Sequence, residues 1–231
     1  MRPKRLEDFA TEAELQEERA VPLWCRWFEE YLGRFNGNQD VSEQIRLKQG
    51  IAQKVFDEMF PLWRLLIRKS VEWQNHQLKY VIGNQPFDAV LSSDAGSEYL
   101  EVSVADWDHD EALRMKYFSE HGHVSAIGRV SYSGTARTGH AIEVENAAET
   151  TTVLIADKLR RVKERILAKA QKSYPPGTTL VVAFDDHIVR HDPNFAARFE
   201  SILREARHEL PNTFRRVYAM GMSGETLIEV R

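Results

Sequence analysis

One cysteine, Cys25, stands alone in a chain of 231 residues, so no disulfide can form within it. Set among Trp24, Trp27 and Phe28, it reads as a small core residue. No apolar run approaches the roughly 20 residues that cross a bilayer. The longest candidate, Leu62 to Ile67, is broken by Arg64 and stopped by Arg68 and Lys69. The start of the chain, MRPKRLEDFATEAEL, is basic but has no apolar stretch behind it, which is not the pattern of a secretory signal. These absences point to a cytoplasmic protein without a membrane partner. Also missing are a phosphate-binding glycine-rich loop, Gly-x-Gly-x-x-Gly, a paired Cys-x-x-Cys and a nucleophile elbow. ATPase, dehydrogenase, zinc-ribbon and α/β-hydrolase chemistry therefore lose their usual support. A large excess of positive charge is lacking too: the net charge is -4, so nucleic-acid binding would have to rest on a local basic surface. What remains is an ordinary globular composition, 42% hydrophobic and 29% charged.

The pattern changes period along the chain. Glu12 to Arg19 is strongly helix-forming. Pro22 then opens a helix whose Trp24, Trp27, Phe28, Tyr31 and Leu32 share one face. That stripe could dock a protein partner or a second copy of the chain, but packing on the protein's own core is the commoner fate of such a face. Another helical pattern, capped by Asp40 with Glu43 and disturbed by Pro61, runs on to about Trp73. From Gln77 the period falls to two. Gln77 to Ile82, Phe87 to Leu91 and Tyr99 to Ala105 are strand candidates joined by short turns, as in an antiparallel meander. An inserted helix from Asp110 to Glu120 and a hairpin follow, and then a long helix from Glu149 to Tyr174. Thr179 to Phe184, TLVVAF, reads as a strand buried on both faces. Asp192 and Pro193 open a further helix, and two strands near Phe214 to Met220 and Thr226 to Val230 complete the sheet. The expectation is a mixed α/β protein, with a helical N-terminal region (1–75) packed on an α/β domain (76–231).

Alternation along the third strand puts Glu101 and Ser103 on one face and Leu100, Val102 and Val104 on the other. The apolar face must look into the core, so the polar face presents Glu101, and the neighbouring strand can bring Asp88 close to it. Two carboxylates so placed suit Mg²⁺ or Mn²⁺. Pro86-Phe87-Asp88 followed by Glu101-Val102-Ser103, within this order of elements, resembles the PD-(D/E)xK nuclease superfamily and its restriction-endonuclease-like core. The resemblance covers roughly Ile45 to Phe184 and implies metal-dependent cleavage of DNA or RNA, with Asp88 and Glu101 as metal ligands. It departs from the family's pattern where the lysine would stand: Ser103 supplies no positive charge. In some relatives the basic group comes from a neighbouring helix, and Lys116, Lys158 and Arg161 are candidates. A scaffold that has lost catalysis and serves as a regulatory or interaction protein stays open.

The long helix carries a basic stripe, Lys158, Arg161, Arg165, Lys169 and Lys172, beside its apolar stripe Ile155, Leu159, Val162, Ile166 and Ala170. Such a ridge could follow a phosphate backbone, although most charge runs are solvated helix faces. Two weaker clusters hold metal-ligating residue types. One is Asp106, Asp108, His109 and Asp110 with His121 and His123. The other is Asp185, Asp186 and His187 at a strand's carboxyl end. Helix-capping and turn-forming roles explain both without a ligand.

Overall fold

The computed structural model describes residues 4–105, 109–124, 130–135, 139–144, 150–187, 194–209 and 213–230. After a 3₁₀ turn at Leu6–Asp8 come α1 (Glu12–Leu15), β1 (Arg19–Ala20), α2 (Val21–Phe35), α3 (Gln39–Arg46) and α4 (Ile51–Lys54). A π-helical turn, Val55–Met59, joins α4 to α5 (Phe60–Arg68), and α6 (Ser70–Trp73) follows. Then come β2 (Gln77–Tyr80), β3 (Ala89–Ser93), β4 (Gly96–Val104), α7 (His109–His121), β5 (Val130–Thr135) and β6 (Gly139–Val144). The chain continues through α8 (Thr151–Ala170), β7 (Thr179–Phe184), α9 (Phe195–Glu209), β8 (Arg216–Gly221) and β9 (Leu227–Glu229).

Seven strands form one mixed sheet in the order β1-β2-β3-β4-β7-β8-β9. β2, β3 and β4 are the antiparallel meander, and β4, β7 and β8 run parallel. β5 and β6 pair with each other as a separate ribbon. Helices cover both faces of the sheet. On one side Trp24, Phe28, Leu62 and Leu66 pack against Leu78, Leu91, Leu100, Val102 and Val181. On the other Leu159, Val162, Ile166 and Phe199 pack against Leu180, Val182 and Phe184. β7 is buried along its whole length, as its unbroken apolar run predicts. Among the described residues no helix is long and apolar enough to cross a membrane.

Three local expectations change. The acidic N-terminal helix ends after Leu15, and Arg19 lies in an edge strand, paired with Leu78. Arg19 donates to the carbonyls of Glu14 and Glu17 and lays its guanidinium over Trp27, which holds the chain extended. The cap of α3 is Asn38, whose side chain accepts from the N–H groups of Asp40 and Val41. Val104 is half-buried, at the end of a strand whose Leu100 and Val102 are in the core.

The aromatic helix faces inward. Trp24, Phe28 and Tyr31 are completely buried, and Trp27 is half-buried, stacked on Tyr31 at 5.7 Å. Removing a fully buried aromatic costs about 3–5 kcal/mol. Half-exposed Trp27 should give less: Trp27→Ala is expected to lower the unfolding free energy by about 1–2 kcal/mol in a denaturant titration. A loss of self-association with unchanged stability would instead mark this face as a docking surface.

Candidate active site

β3 and β4 set Ala89 opposite Leu100. Extending that register by one residue places Asp88 opposite Glu101, where cross-strand side chains come within reach of each other. Asp88 lies just before β3 rather than inside it. Its N–H donates to the Leu100 carbonyl and its carbonyl accepts from the Val81 N–H, both at 2.8 Å. Its carboxylate accepts from the Val102 N–H at 2.7 Å. The side chain thus gives the Val102 amide the partner that β3, not yet begun at this point, does not supply.

Glu101 is on the face opposite Leu100 and Val102, as the alternation predicts, but that face does not look outward. It is covered by α8, and Glu101 and Ser103 are both buried. A buried carboxylate needs a cation or several donors. Lys169, in the last turn of α8, supplies the cation, with its Nζ 2.5 Å from Glu101 Oε1. The basic group beside this carboxylate is therefore Lys169, which the sequence reading assigned to the outer basic stripe. Lys116 is exposed on α7. Lys158 lies 3.9 Å from Asp185, and Arg161 donates to Asp157 at 2.7 Å. Arg165 is half-buried and Lys172 exposed, so the stripe is not one uniform outward ridge.

A third carboxylate acts on Asp88 from the helical N-terminal side. Pro61 has no N–H for the Asp57 carbonyl, and its ring would collide with that carbonyl in a regular α-helix. The chain widens into the π turn at Val55–Met59 and resumes α-helix at Phe60. Such turns recur at functional sites. Glu58 sits in this turn and accepts a hydrogen bond from the Tyr80 hydroxyl. Burial first, then the charges of Glu58 and Glu101, push the Asp88 carboxyl up to about 8, against smaller opposing effects of the Val102 N–H and Lys169. Burial and Glu58 likewise push the Tyr80 phenol up. The sequence reading did not single out Glu58 or Tyr80. The signal available for Glu58 was a proline three residues further on in a helical pattern.

Glu58, Asp88 and Glu101 thus act on one region, where Lys54 pairs with Glu58 at 3.5 Å and Lys169 with Glu101, and Asp88 is the carboxylate whose proton a divalent cation would displace. Among the described residues no three His, Cys, Asp or Glu side chains converge as a ligand set. The donors fit an ion that takes one or two carboxylates and completes its shell with water, as Mg²⁺ does.

The weaker clusters look structural where they can be seen. Asp106 and Asp108 lie outside the described residues, as do Asp192 and Pro193 and the side chains of His109 and Asp110. His121 is exposed and stacks on Tyr117, and His123 is exposed as well. Asp186 is buried and accepts from the Ser223 N–H at 2.9 Å and the Ser223 hydroxyl at 2.5 Å. Gly221 makes room for it, since a Cβ there would lie 2.0 Å from the Asp186 carboxylate. No protein-family model, curated protein or solved structure matches the chain.

Proposed function

We propose that the chain is a metal-dependent phosphodiesterase of the nuclease kind, acting on DNA or RNA, with Asp88 and Glu101 holding Mg²⁺ or Mn²⁺ and Lys169 in the role of the displaced lysine. The observation that carries this reading is the Lys169–Glu101 pair, set across the strand register from Asp88. It supplies the positive charge whose absence at Ser103 is the departure from the PD-(D/E)xK pattern. The sequence of helix, three antiparallel strands, crossover helix and parallel strand supports the same reading.

A divalent cation at this place polarises a phosphodiester and acidifies water. The chain's own groups do the rest. Asp88 and Glu101 fix the ion's position, with the Val102 amide and Lys169 orienting them. Lys169 also brings positive charge to where the scissile phosphate gathers negative charge. Arg165 on the same helix, and Lys172 just beyond its end, can lead the backbone of the nucleic acid toward the site.

Millimolar Mn²⁺ or Mg²⁺ should raise the melting temperature of the native protein and leave that of Asp88→Asn almost unchanged. Incubation with single- and double-stranded DNA and RNA in Mn²⁺ should give cleavage that Glu101→Gln loses. Metal binding without cleavage would mean a nuclease scaffold that has lost its chemistry. If the protein binds neither metal nor nucleic acid, the reading fails, and a non-catalytic interaction or regulatory protein takes its place.

A further inference from the structure

We propose that Arg64, with Arg68 one turn further along α5, is a phosphate-binding site for the backbone of a nucleic acid, an inference that rests on the phosphodiesterase reading above. The Arg64 guanidinium stands over the rings of Phe60 and Trp63, 5.2 and 4.7 Å from their centroids. The turn between β8 and β9 closes on its stem, where a Cβ at Gly224 would come 3.1 Å from Arg64 Cδ. That turn follows the carboxyl ends of the parallel strands β7 and β8, and the Met222 N–H ties it to the Phe184 carbonyl. Ligands of open α/β sheets collect at this end of the strands.

Arg64 makes no hydrogen bond or ion pair among the described residues, and its Nε is buried. The two Nη nitrogens are not enclosed in this way, so they are the part of the fork left to meet a ligand. Rings and turn fix the direction of that fork before a ligand arrives. The other cations around α5 are paired: Lys69 with Glu72 and Glu229, and Arg216 with Glu72. Those carboxylates reach neither Arg64 nor Arg68, which is exposed. Two like charges one turn apart on a helix repel each other. A ligand with repeated negative charge removes that repulsion, where a single carboxylate would answer only one of the pair. Phosphate also suits the planar, weakly hydrated guanidinium, which forms strong charge-assisted hydrogen bonds to it.

The test reads binding of a fluorescein-labelled single-stranded DNA oligonucleotide by anisotropy over a series of salt concentrations. EDTA is present, so cleavage does not intervene. Arg64→Met keeps an apolar stem over the rings and is expected to keep the native melting temperature and its Mn²⁺ response. It should bind the oligonucleotide about tenfold more weakly, as for one lost hydrogen bond to a charged group. The slope of log affinity against log salt should fall by about 0.7, the loss of one phosphate contact on a single strand. Arg68→Met should lower the slope by a similar amount. Arg160→Met, whose guanidinium is held by Asp157 and Glu164, should change neither quantity. Native-like affinity and slope in Arg64→Met overturn the inference and leave the phosphodiesterase reading to its own tests. If Arg64→Met loses only the rise in melting temperature given by inorganic phosphate, the site takes a small phosphate and the backbone assignment falls. If Arg64→Met does not fold, Arg68→Met, at an exposed position, decides by the same slope. A native chain that binds no oligonucleotide removes this inference, and Mn²⁺-dependent melting then shows whether the metal site survives it.

Discussion

Lys169→Met is expected to destabilise the protein by about 3–5 kcal/mol and to lower phosphodiester cleavage by about 10²–10³-fold. The two side chains of the pair keep only 16% and 9% of their surface exposed, so solvent cannot replace the lost partner. Methionine preserves the apolar stem and removes the charge, leaving Glu101 buried without a cation. Breaking such a pair is far more harmful than replacing both members, because the penalty comes from the orphaned charge. The double variant Lys169→Met/Glu101→Gln should therefore regain much of the lost stability while staying inactive. Denaturant titration of the wild type and three variants, the two singles and the double, closes the cycle and gives the coupling energy. An unchanged midpoint for Lys169→Met, together with undiminished cleavage, would show that the pair matters to neither fold nor chemistry.

Local periodicity made most of the sheet legible. β4 alternates apolar and polar residues from Leu100 to Val104, β7 is an uninterrupted apolar run, and the turns at Asp94-Ala95-Gly96 and Pro175-Pro176-Gly177 bound them, so each element's type follows from its own residues. The register that sets Asp88 opposite Glu101 follows from a short turn closing that meander. What lay across the sheet face was not legible, because it depends on tertiary contact. Glu101 looks solvent-facing until α8 covers it. Among the four cations of the stripe that lie within α8, Lys169 lies nearest the apolar face, turned about 60° from Ile166 at 3.6 residues per turn. That phase was the available sign that it points inward. Glu58 escaped because a regular helix would not present it where the π turn does, and β1 because two residues make no period.

Without divalent metal, the protein should lose stability as the pH rises from about 4 to about 8, by on the order of a few kcal/mol. Asp88 is pushed from its ordinary value of 3.8 to about 8 by burial and by Glu58 and Glu101. Between those two values the folded chain holds a proton that the unfolded chain has released. The native state then binds more protons, so unfolding becomes easier with each step upward in pH. The contribution is complete below the unfolded value and is gone above the folded one. Because the three carboxylates interact, the titration belongs to the cluster more than to one residue. Asp57 is shifted in the same direction by burial, so Asp88→Asn is the comparison that isolates this site. That variant keeps an oxygen for the Val102 N–H and should flatten the slope, gaining stability over wild type at the alkaline end. A cation must displace the Asp88 proton to bind, so the rise in melting temperature given by Mn²⁺ should grow across the same interval. Melting curves of both proteins, with chelator and with Mn²⁺, at half-unit steps of pH provide the measurement. A metal-free slope of the same size in Asp88→Asn, or a Mn²⁺ shift independent of pH, would remove Asp88 from the site.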